Sequence, residues 1–396
     1  MHSRIFTDIS QGTGPNINTV DVRTMPTPAM KEVAKHTSVY NATVRIRTAF
    51  MNSLGQIPGP EVSFSNIYDS ETPSLAFTWI SDYVLRDGVE RVDDDAVEGC
   101  AECKPDMGQG IGCEYTQKCS CLEDAAINLA RLNEEQTAKY QRYQDGDNSI
   151  DLSGFPKRFP YSSSGYRFGC LVDFYLNSRN VIYECNSRCN CGPNCKNRNV
   201  QFGRKVPLEI FKTPNRGFGL RCNEPLKKGQ FIDKYLGELI TDAEADRREK
   251  AAGHGRASYL FWLDKHAVER NSDDDDSDEE EDSTILRPED CYVADGERMG
   301  GPTRFINHSC DPNCRLFTVS YNKFDLKVYD LAFFALENIA AGTELTFDYM
   351  DADEPDADEE TKKKEFEKKE GEAEKERKMK VPCLCGARNC RGVMWE

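Results

Sequence analysis

"RFINHSCDPNC", residues 304 to 314, sets an amide, an imidazole and two thiols between Asn307 and Cys314. Asn307 and His308 offer hydrogen bonds of the kind that fix a planar base. Taken alone, His308 is more often a structural histidine. Cys310 and Cys314 raise a second question, because closely spaced thiols serve as metal ligands, disulfide partners or buried apolar groups. Further on, "ELTFDYM" (344–350) reads as a β-strand that ends in a tyrosine.

The thiols settle the next step. The chain carries 17 cysteines in 396 residues, and "CNSRCNCGPNC" (185–195) packs four of them into one loop. Its opening, "MHSRIFTDISQGTGPNINTV", has no apolar signal-like segment, and no run approaches the ~18 apolar residues of a membrane span. This predicts a soluble intracellular protein with reduced thiols, in which tight cysteine spacings read as metal ligands rather than disulfides.

Nine thiols form one region: Cys100, Cys103, Cys113, Cys119, Cys121, Cys185, Cys189, Cys191 and Cys195, with Cys170 standing apart. Zinc takes four thiolates tetrahedrally. Nine thiolates complete three zinc ions if three of them bridge two metals each, and the C-x-C pairs Cys119/Cys121 and Cys189/Cys191 suit such sharing. The cluster carries a net charge of about −3, which Lys104, Lys118, Arg188, Lys196 and Arg198 offset. The C-terminal "CLCGARNC" supplies only Cys383, Cys385 and Cys390. A fourth ligand must come from Cys170, Cys222, Cys291, Cys310 or Cys314, and the tail alone does not say which.

The net charge is −17. "DDDDSDEEED" (273–282) and "DADEPDADEE" (351–360) hold sixteen of the acidic residues, so the rest of the chain is nearly neutral. Such runs are solvated loops that can also steer a basic partner.

Along the chain, residues 1–95 show no repeat or chemistry, although "IPGPEVSFSNIYDS" and "SLAFTWISDYVL" carry enough aromatics to pack on something. "LEDAAINLARLNEEQTAKYQRYQ" (122–144) has helical periodicity. After Cys195 come short β-like runs: "VPLEIFKT", "GFGLRC", "QFIDKYLGELIT", "SYLFWLD", "CYVADGE", "RLFTVSY", "LKVYDLAFFAL" and "ELTFDYM". One helix is expected at "DAEADRREKAAG", ended by Gly253. These patterns predict a mostly β domain of several small sheets.

With "RFINHSCDPNC" and "ELTFDYM", the runs "KVPLEIFKT", "RGFGLRC", "YLGELIT", "EADRR", "YLFWLD", "GPTRFINHSCDPN", "DLAFFAL", "GTELTFDY" and "CLCG…CRG" make the chain recognisable. From about Cys100 onward it resembles SET-domain protein lysine methyltransferases. Within them it resembles the Su(var)3-9 group, which methylates histone H3 at lysine-9, in its filamentous-fungal form without a chromodomain. The first cysteine pair, Cys100 and Cys103, departs from the family's C-x-C pattern.

The resemblance implies an N-terminal extension over 1–95, partly ordered, then a pre-SET zinc-cluster domain over 96–200. It implies a SET domain over 201–350 with an acidic insert at 270–286, a charged linker over 351–380 and a zinc-binding post-SET tail over 381–396. It supplies Cys310 as the fourth ligand for Cys383, Cys385 and Cys390, giving four zinc ions per chain. It implies S-adenosylmethionine as donor, held by Arg216, Gly217, Phe218, Gly219, Tyr259, Arg304, Asn307, His308 and Trp395. Tyr349 is then the catalytic hydroxyl, Tyr259 a second one, and Phe347 the gate on the number of methyl groups. The expected partner is the histone H3 N-terminal tail, and the expected location is heterochromatin in the nucleus. Recruiting partners are not legible, and no strong direct binding to DNA is expected.

The chemistry agrees with these residue types. The amine must lose a proton from a free pKa of about 10.4, which an apolar channel assists. Aromatic walls tolerate a cationic product. Two further alternatives are a methyltransferase for another lysine and a catalytically inactive, zinc-stapled chromatin scaffold. A zinc-dependent DNA-binding protein is disfavoured by the near-neutral core. Residues 361–380 carry eight lysines, from Lys362 to Lys380. The linker is expected to be partly helical, with the sharper possibility that it occupies the substrate site in the resting enzyme.

Overall fold

The computed structural model describes residues 28–93, 97–107, 112–113, 119–147, 149–252, 259–268, 286–350 and 381–395. The acidic insert, the 351–380 linker and Gly253 lie outside them.

Alternation and burial agree in the strands. In Leu208–Lys212, Leu208 and Ile210 are buried while Glu209 between them is half-buried. Tyr292–Asp295 and Asp330–Ala335 are buried at every position, as expected of strands covered on both faces. Three sheets carry the fold. One orders Val62–Ser65, Leu208–Lys212, Phe218–Arg221, Glu344–Phe347 and Asn307–His308. The second orders Val84–Leu85, Glu238–Thr241, Tyr292–Asp295 and Leu260–Trp262. The third orders Ile182–Tyr183, Cys314–Ser320, Asp330–Ala335 and Phe231–Tyr235. A large apolar cluster that includes Leu220, Leu239, Phe333 and Leu345 lies among them. A second cluster packs Tyr161, Leu171 and Tyr175 against Phe231 and Phe334.

The helix Asp242–Ala252 follows directly from its strand. Asp242 and Glu244 lie in its first turn and Lys250 in its last, both favourable to the helix dipole. The helical periodicity at 122–144 is realised only in part, as Glu134–Gln144. That helix starts where Asn133 and Gln136 form a reciprocal capping box. Upstream, Leu122 and Ala125 are drawn into the second apolar cluster, and the chain makes short 3-10 turns instead.

The stretch before Cys100 is woven into the sheets. Val62–Ser65 pairs in parallel with Leu208–Phe211, Thr78–Trp79 with Met299–Gly300, and Val84–Leu85 with Glu238–Leu239. The helices Pro28–His36 and Val39–Leu54 precede them, and Phe50 and Leu54 enter the main core. Sequence patterning is silent over Thr78–Trp79 and Val84–Leu85 because two-residue strands are too short to show alternation.

Candidate active site and zinc centres

The stretches 304–314 and 344–350 meet as neighbouring strands. Asn307 and His308 pair in parallel with Thr346 and Phe347, and Ser309 N–H donates to the Phe347 carbonyl at 3.0 Å. Phe347 is thereby walled by aromatic rings, with centroids 4.7 Å from Tyr349, 5.0 Å from Phe333 and 5.9 Å from Phe261. The Tyr349 hydroxyl donates to the Ile306 carbonyl at 2.8 Å, and its backbone N–H donates to His308 Nδ1 at 3.1 Å. Burial pushes the Tyr349 hydroxyl above its ordinary pKa, so it stays a hydrogen-bond donor.

A tyrosine that the sequence reading passed over belongs to this wall. Tyr235 is buried, its ring lies 4.5 Å from Phe261, and its hydroxyl donates to the Tyr259 carbonyl at 2.7 Å. Its signal is its place at the head of "YLGELIT", a run that reads as strand and carries the family resemblance without marking the tyrosine itself. The ring of Tyr259 instead faces Arg304, whose guanidinium sits 4.6 Å above it.

A second group converges beside the wall. Arg216 donates to the His308 carbonyl at 3.2 Å and pairs with Glu344. Asn307 Nδ2 donates to the Phe218 carbonyl at 3.2 Å and to Glu344 at 2.8 Å. Gly217 has φ +69°, a conformation that only glycine adopts freely, and a Cβ there would meet nothing within 4 Å. At Gly219 a Cβ would strike Glu344 Oε1 at 2.7 Å. Residues 216–219 and 307–308 are thus tied together, and Arg304 and Tyr259 are stacked as one unit. Main-chain carbonyls, an amide, a carboxylate, a guanidinium and aromatic faces around an open glycine turn fit a ligand with a planar base, an amino-acid end and a cationic centre. Trp395 stands in the strand Val393–Trp395, which pairs with Val381–Pro382; its side chain lies outside the described residues.

The nine thiols of the first cysteine region form overlapping groups: Cys113, Cys185, Cys191 and Cys195; Cys100, Cys119 and Cys121; Cys103, Cys113 and Cys121; Cys121, Cys185 and Cys189. Within each group the sulfurs lie within 4.8 Å of one another. Cys113, Cys121 and Cys185 recur, as bridging ligands would. Sulfur separations of 3.7 Å for Cys113–Cys185 and 3.9 Å for Cys185–Cys195 fit the spacing of about 3.8 Å that tetrahedral zinc at ~2.3 Å imposes. All seventeen thiols are free of disulfides. Burial and the neighbouring Cys191 and Cys100 push the Cys103 thiol up to about 12, so its thiolate calls for a nearby cation.

Cys310, Cys383, Cys385 and Cys390 form a separate four-thiol group, with Cys310 and Cys383 sulfurs 3.9 Å apart. It joins the tail to the wall, because Cys310 follows His308, whose Nε2 lies 3.3 Å from the Cys310 sulfur. Cys170, Cys222, Cys291 and Cys314 fall in neither centre, and all four are buried.

Against known families, residues 217–350 match the SET domain and residues 55–198 match the Pre-SET motif. The chain is 38% identical to the H3 lysine-9 specific histone-lysine N-methyltransferase KMT1 of Fusarium mangiferae, over 84% of this chain and 88% of that protein. Identity to the H3 lysine-9 specific enzyme dim-5 of Neurospora crassa is also 38%, over 84% and 88%. The chain belongs to the SET-domain histone-lysine methyltransferases. The structure of the Neurospora SET domain protein DIM-5 superposes with a TM-score of 0.57 at 34% identity, covering 76% of this chain and 99% of that one. The Pre-SET match begins at residue 55, so it takes in the strands before Cys100. This SET-domain enzyme is a protein-lysine methyltransferase with a mostly β fold, and its cysteine clusters are compatible with zinc.

Proposed function

We propose that the enzyme methylates histone H3 at lysine-9 with S-adenosylmethionine as donor, carries the product to the trimethyl state, and acts in heterochromatin in the nucleus. The observation that carries this reading is the aromatic wall of Tyr235, Phe261, Phe347 and Tyr349 beside the Arg216–Gly219 and Asn307–His308 group. The specificity of its two fungal relatives supports the choice of substrate.

The donor supplies a methyl group on a sulfonium. Arg216, Gly217, Phe218, Gly219, Tyr259, Arg304, Asn307 and His308 would hold it, with Trp395 at the rim. Everything else falls to the wall. Phe261 and Phe347 give the lysine stem an apolar channel that favours its neutral amine. The Tyr349 and Tyr235 hydroxyls, kept protonated by burial, orient the nitrogen lone pair. Phe347 carries no hydroxyl, which leaves room for further methyl groups.

Three zinc ions would sit among the nine pre-SET thiolates, and a fourth among Cys310, Cys383, Cys385 and Cys390. The 351–380 linker joins Met350 to Val381, and its eight lysines make it a tethered competitor for the channel at an effective concentration on the order of millimolar. Replacing 355–376 by a short Gly/Ser linker should lower KM for a histone peptide; an unchanged KM reduces the segment to a linker.

The decisive test is to incubate the protein with donor and whole histones and to locate methyl groups by mass spectrometry. Trimethylation confined to H3 lysine-9 is expected. Methylation concentrated on another lysine would overturn the substrate, and none at all would favour the inactive scaffold.

A further inference from the structure

The donor-site residue Arg304 is held by a part of the chain that lies outside the SET match. Its guanidinium lies over three rings, 4.5 Å from the centroid of Phe77, 4.6 Å from that of Tyr259 and 4.9 Å from that of Phe305. Two carbonyls complete the grip: Arg304 Nε donates to Gly296 at 3.1 Å and Nη2 to Glu297 at 3.5 Å. Tyr259, Phe305 and both carbonyls come from the SET domain. Phe77 comes from "SLAFTWISDYVL", to which sequence patterning assigns no role.

Phe77 is itself fixed. It is 7% exposed, and its ring stands edge-on to Trp79 at 4.9 Å. Trp79 Nε1 donates to the buried Ser53 hydroxyl at 3.0 Å, which anchors the segment to the helix Val39–Leu54. Among the described residues, Thr78–Trp79 is the sole strand partner of Met299–Gly300, the strand that leads into the Pro302–Phe305 turn carrying Arg304. Thr78 N–H donates to the Arg298 carbonyl at 3.0 Å, and Ile80 N–H to the Gly300 carbonyl at 3.1 Å. A Cβ at Gly300 would strike the Leu236 carbonyl at 2.6 Å, so this strand is pressed from its other side as well. One segment therefore supplies both the ring over Arg304 and the strand beneath its turn.

We propose that Phe77, with the Thr78–Trp79 strand, is a positioning element of the donor pocket that fixes the orientation of Arg304 without touching donor or substrate. A cation held over several ring faces loses its freedom to swing into solvent, and partly desolvated contacts of this kind change an equilibrium by several-fold to about tenfold. Positioning of Arg304 should act on donor binding and leave the lysine channel alone. The proposal rests on the reading of Arg304 as a donor-site residue, and the experiment separates the two.

Donor affinity is measured by calorimetry on the full chain for wild type, Phe77→Leu, Phe77→Tyr, Arg304→Lys and the double variant Phe77→Leu/Arg304→Lys, with melting curves for each. Phe77→Leu keeps most of the buried volume and removes the ring. It should weaken S-adenosylmethionine binding by about fivefold to tenfold, with kcat and the peptide KM within about twofold. Phe77→Tyr keeps the ring and should bind donor more tightly than Phe77→Leu. The double variant should be little weaker than Arg304→Lys alone, because a lysine cannot fill the planar stack. If Arg304→Lys binds donor as well as wild type, the donor-site reading fails. If Arg304→Lys weakens binding while Phe77→Leu does not, or if the two effects multiply independently, the positioning role is overturned. Should Phe77→Leu melt too low to assay, Phe77→Met carries the same comparison.

Discussion

Arg391 grips the carboxylate of Asp348 through two hydrogen bonds of 2.6 and 2.7 Å. Asp348 stands between Phe347 and Tyr349, and Arg391 directly follows Cys390, so this fork ties the C-terminal thiol group to the aromatic wall. Burial opposes ionisation of Asp348, but Arg391 and the Met350 N–H outweigh it and hold the carboxyl below its ordinary range. Arg391 is 43% exposed, so the pair adds at most about 1 kcal/mol to stability. Arg391→Gln should therefore leave the melting temperature and metal content nearly unchanged while kcat falls on the order of tenfold, as the tail loses its register over the site. Steady-state kinetics beside elemental analysis decide it. An unchanged kcat would mean that the thiol group alone holds the tail.

The metal content itself is the second expectation. Three ions in the nine-thiol cluster and one at Cys310, Cys383, Cys385 and Cys390 make four zinc per chain. Cys385→Ser should lower the count by one, and activity should collapse while most of the fold survives, because the two centres share no ligand. A firm value of two or fewer zinc ions in the wild type would sink the cluster.

Much of this was legible in the sequence because its chemistry is local. Cysteines at two- and four-residue spacings announce a metal wherever they fold, and alternation marks a strand such as Leu208–Lys212 without its partners. What stayed hidden depends on pairing at a distance. Tyr235 reads as one more strand residue until Phe231–Tyr235 is laid beside the strand Asp330–Ala335 and its ring meets Phe261. Phe77 looks like any aromatic in a motif-poor stretch, and only the parallel pairing of Thr78–Trp79 with Met299–Gly300 brings it to Arg304. The fork between Asp348 and Arg391 spans 43 residues, much of that in the linker.

Arg248 braces the paired strands Glu238–Thr241 and Tyr292–Asp295. It bonds Glu238 and Asp295 at 2.7 Å each, and both carboxylates are 4% exposed. Arg86 shares Glu238, so the brace also fastens the segment before Cys100. Arg248→Ala strips Asp295 of this cation and leaves Glu238 only Arg86, at a cost of about 3–5 kcal/mol. Chemical denaturation should show a lowered midpoint with an unchanged slope. A loss below about 1 kcal/mol would show that solvent reaches the carboxylates.

The pH profile tests the role of Tyr349. Its pKa is raised by burial, so the hydroxyl remains protonated above the ordinary tyrosine value of about 10. The substrate lysine meanwhile gains neutral amine about tenfold per pH unit toward 10.4. Thus kcat/KM for a peptide should climb with slope near one from pH 7 to about 9, with no falling limb there. By linkage, the stability contributed by the protonated tyrosine is fully present below about 10 and is lost as pH rises through the elevated folded value. A descending limb in the wild type near pH 8 would contradict the raised value.

The proposed function makes Phe347 the residue that sets how far methylation goes. Its ring is closed in by Phe261, Phe333 and Tyr349, and it is 6% exposed, so a hydroxyl added to it cannot escape to solvent. A buried hydroxyl needs a hydrogen-bond partner, which within this wall is a neighbouring oxygen, a trapped water or the substrate nitrogen itself. Each of these takes space, or a lone pair, that a methylated amine needs in order to turn for its next transfer. Phe347→Tyr should accordingly keep the first transfer within a few-fold of wild type and accumulate mono- or dimethyl product where wild type proceeds to trimethyl. Tyr349→Phe removes the orienting hydroxyl and should nearly abolish every transfer, with donor affinity held within a few-fold. Mass spectrometry of a histone peptide over time, with donor calorimetry alongside, reads both. If Phe347→Tyr and wild type gave the same product distribution, the gate would lie elsewhere on the wall, and Tyr235 would be the next residue to test.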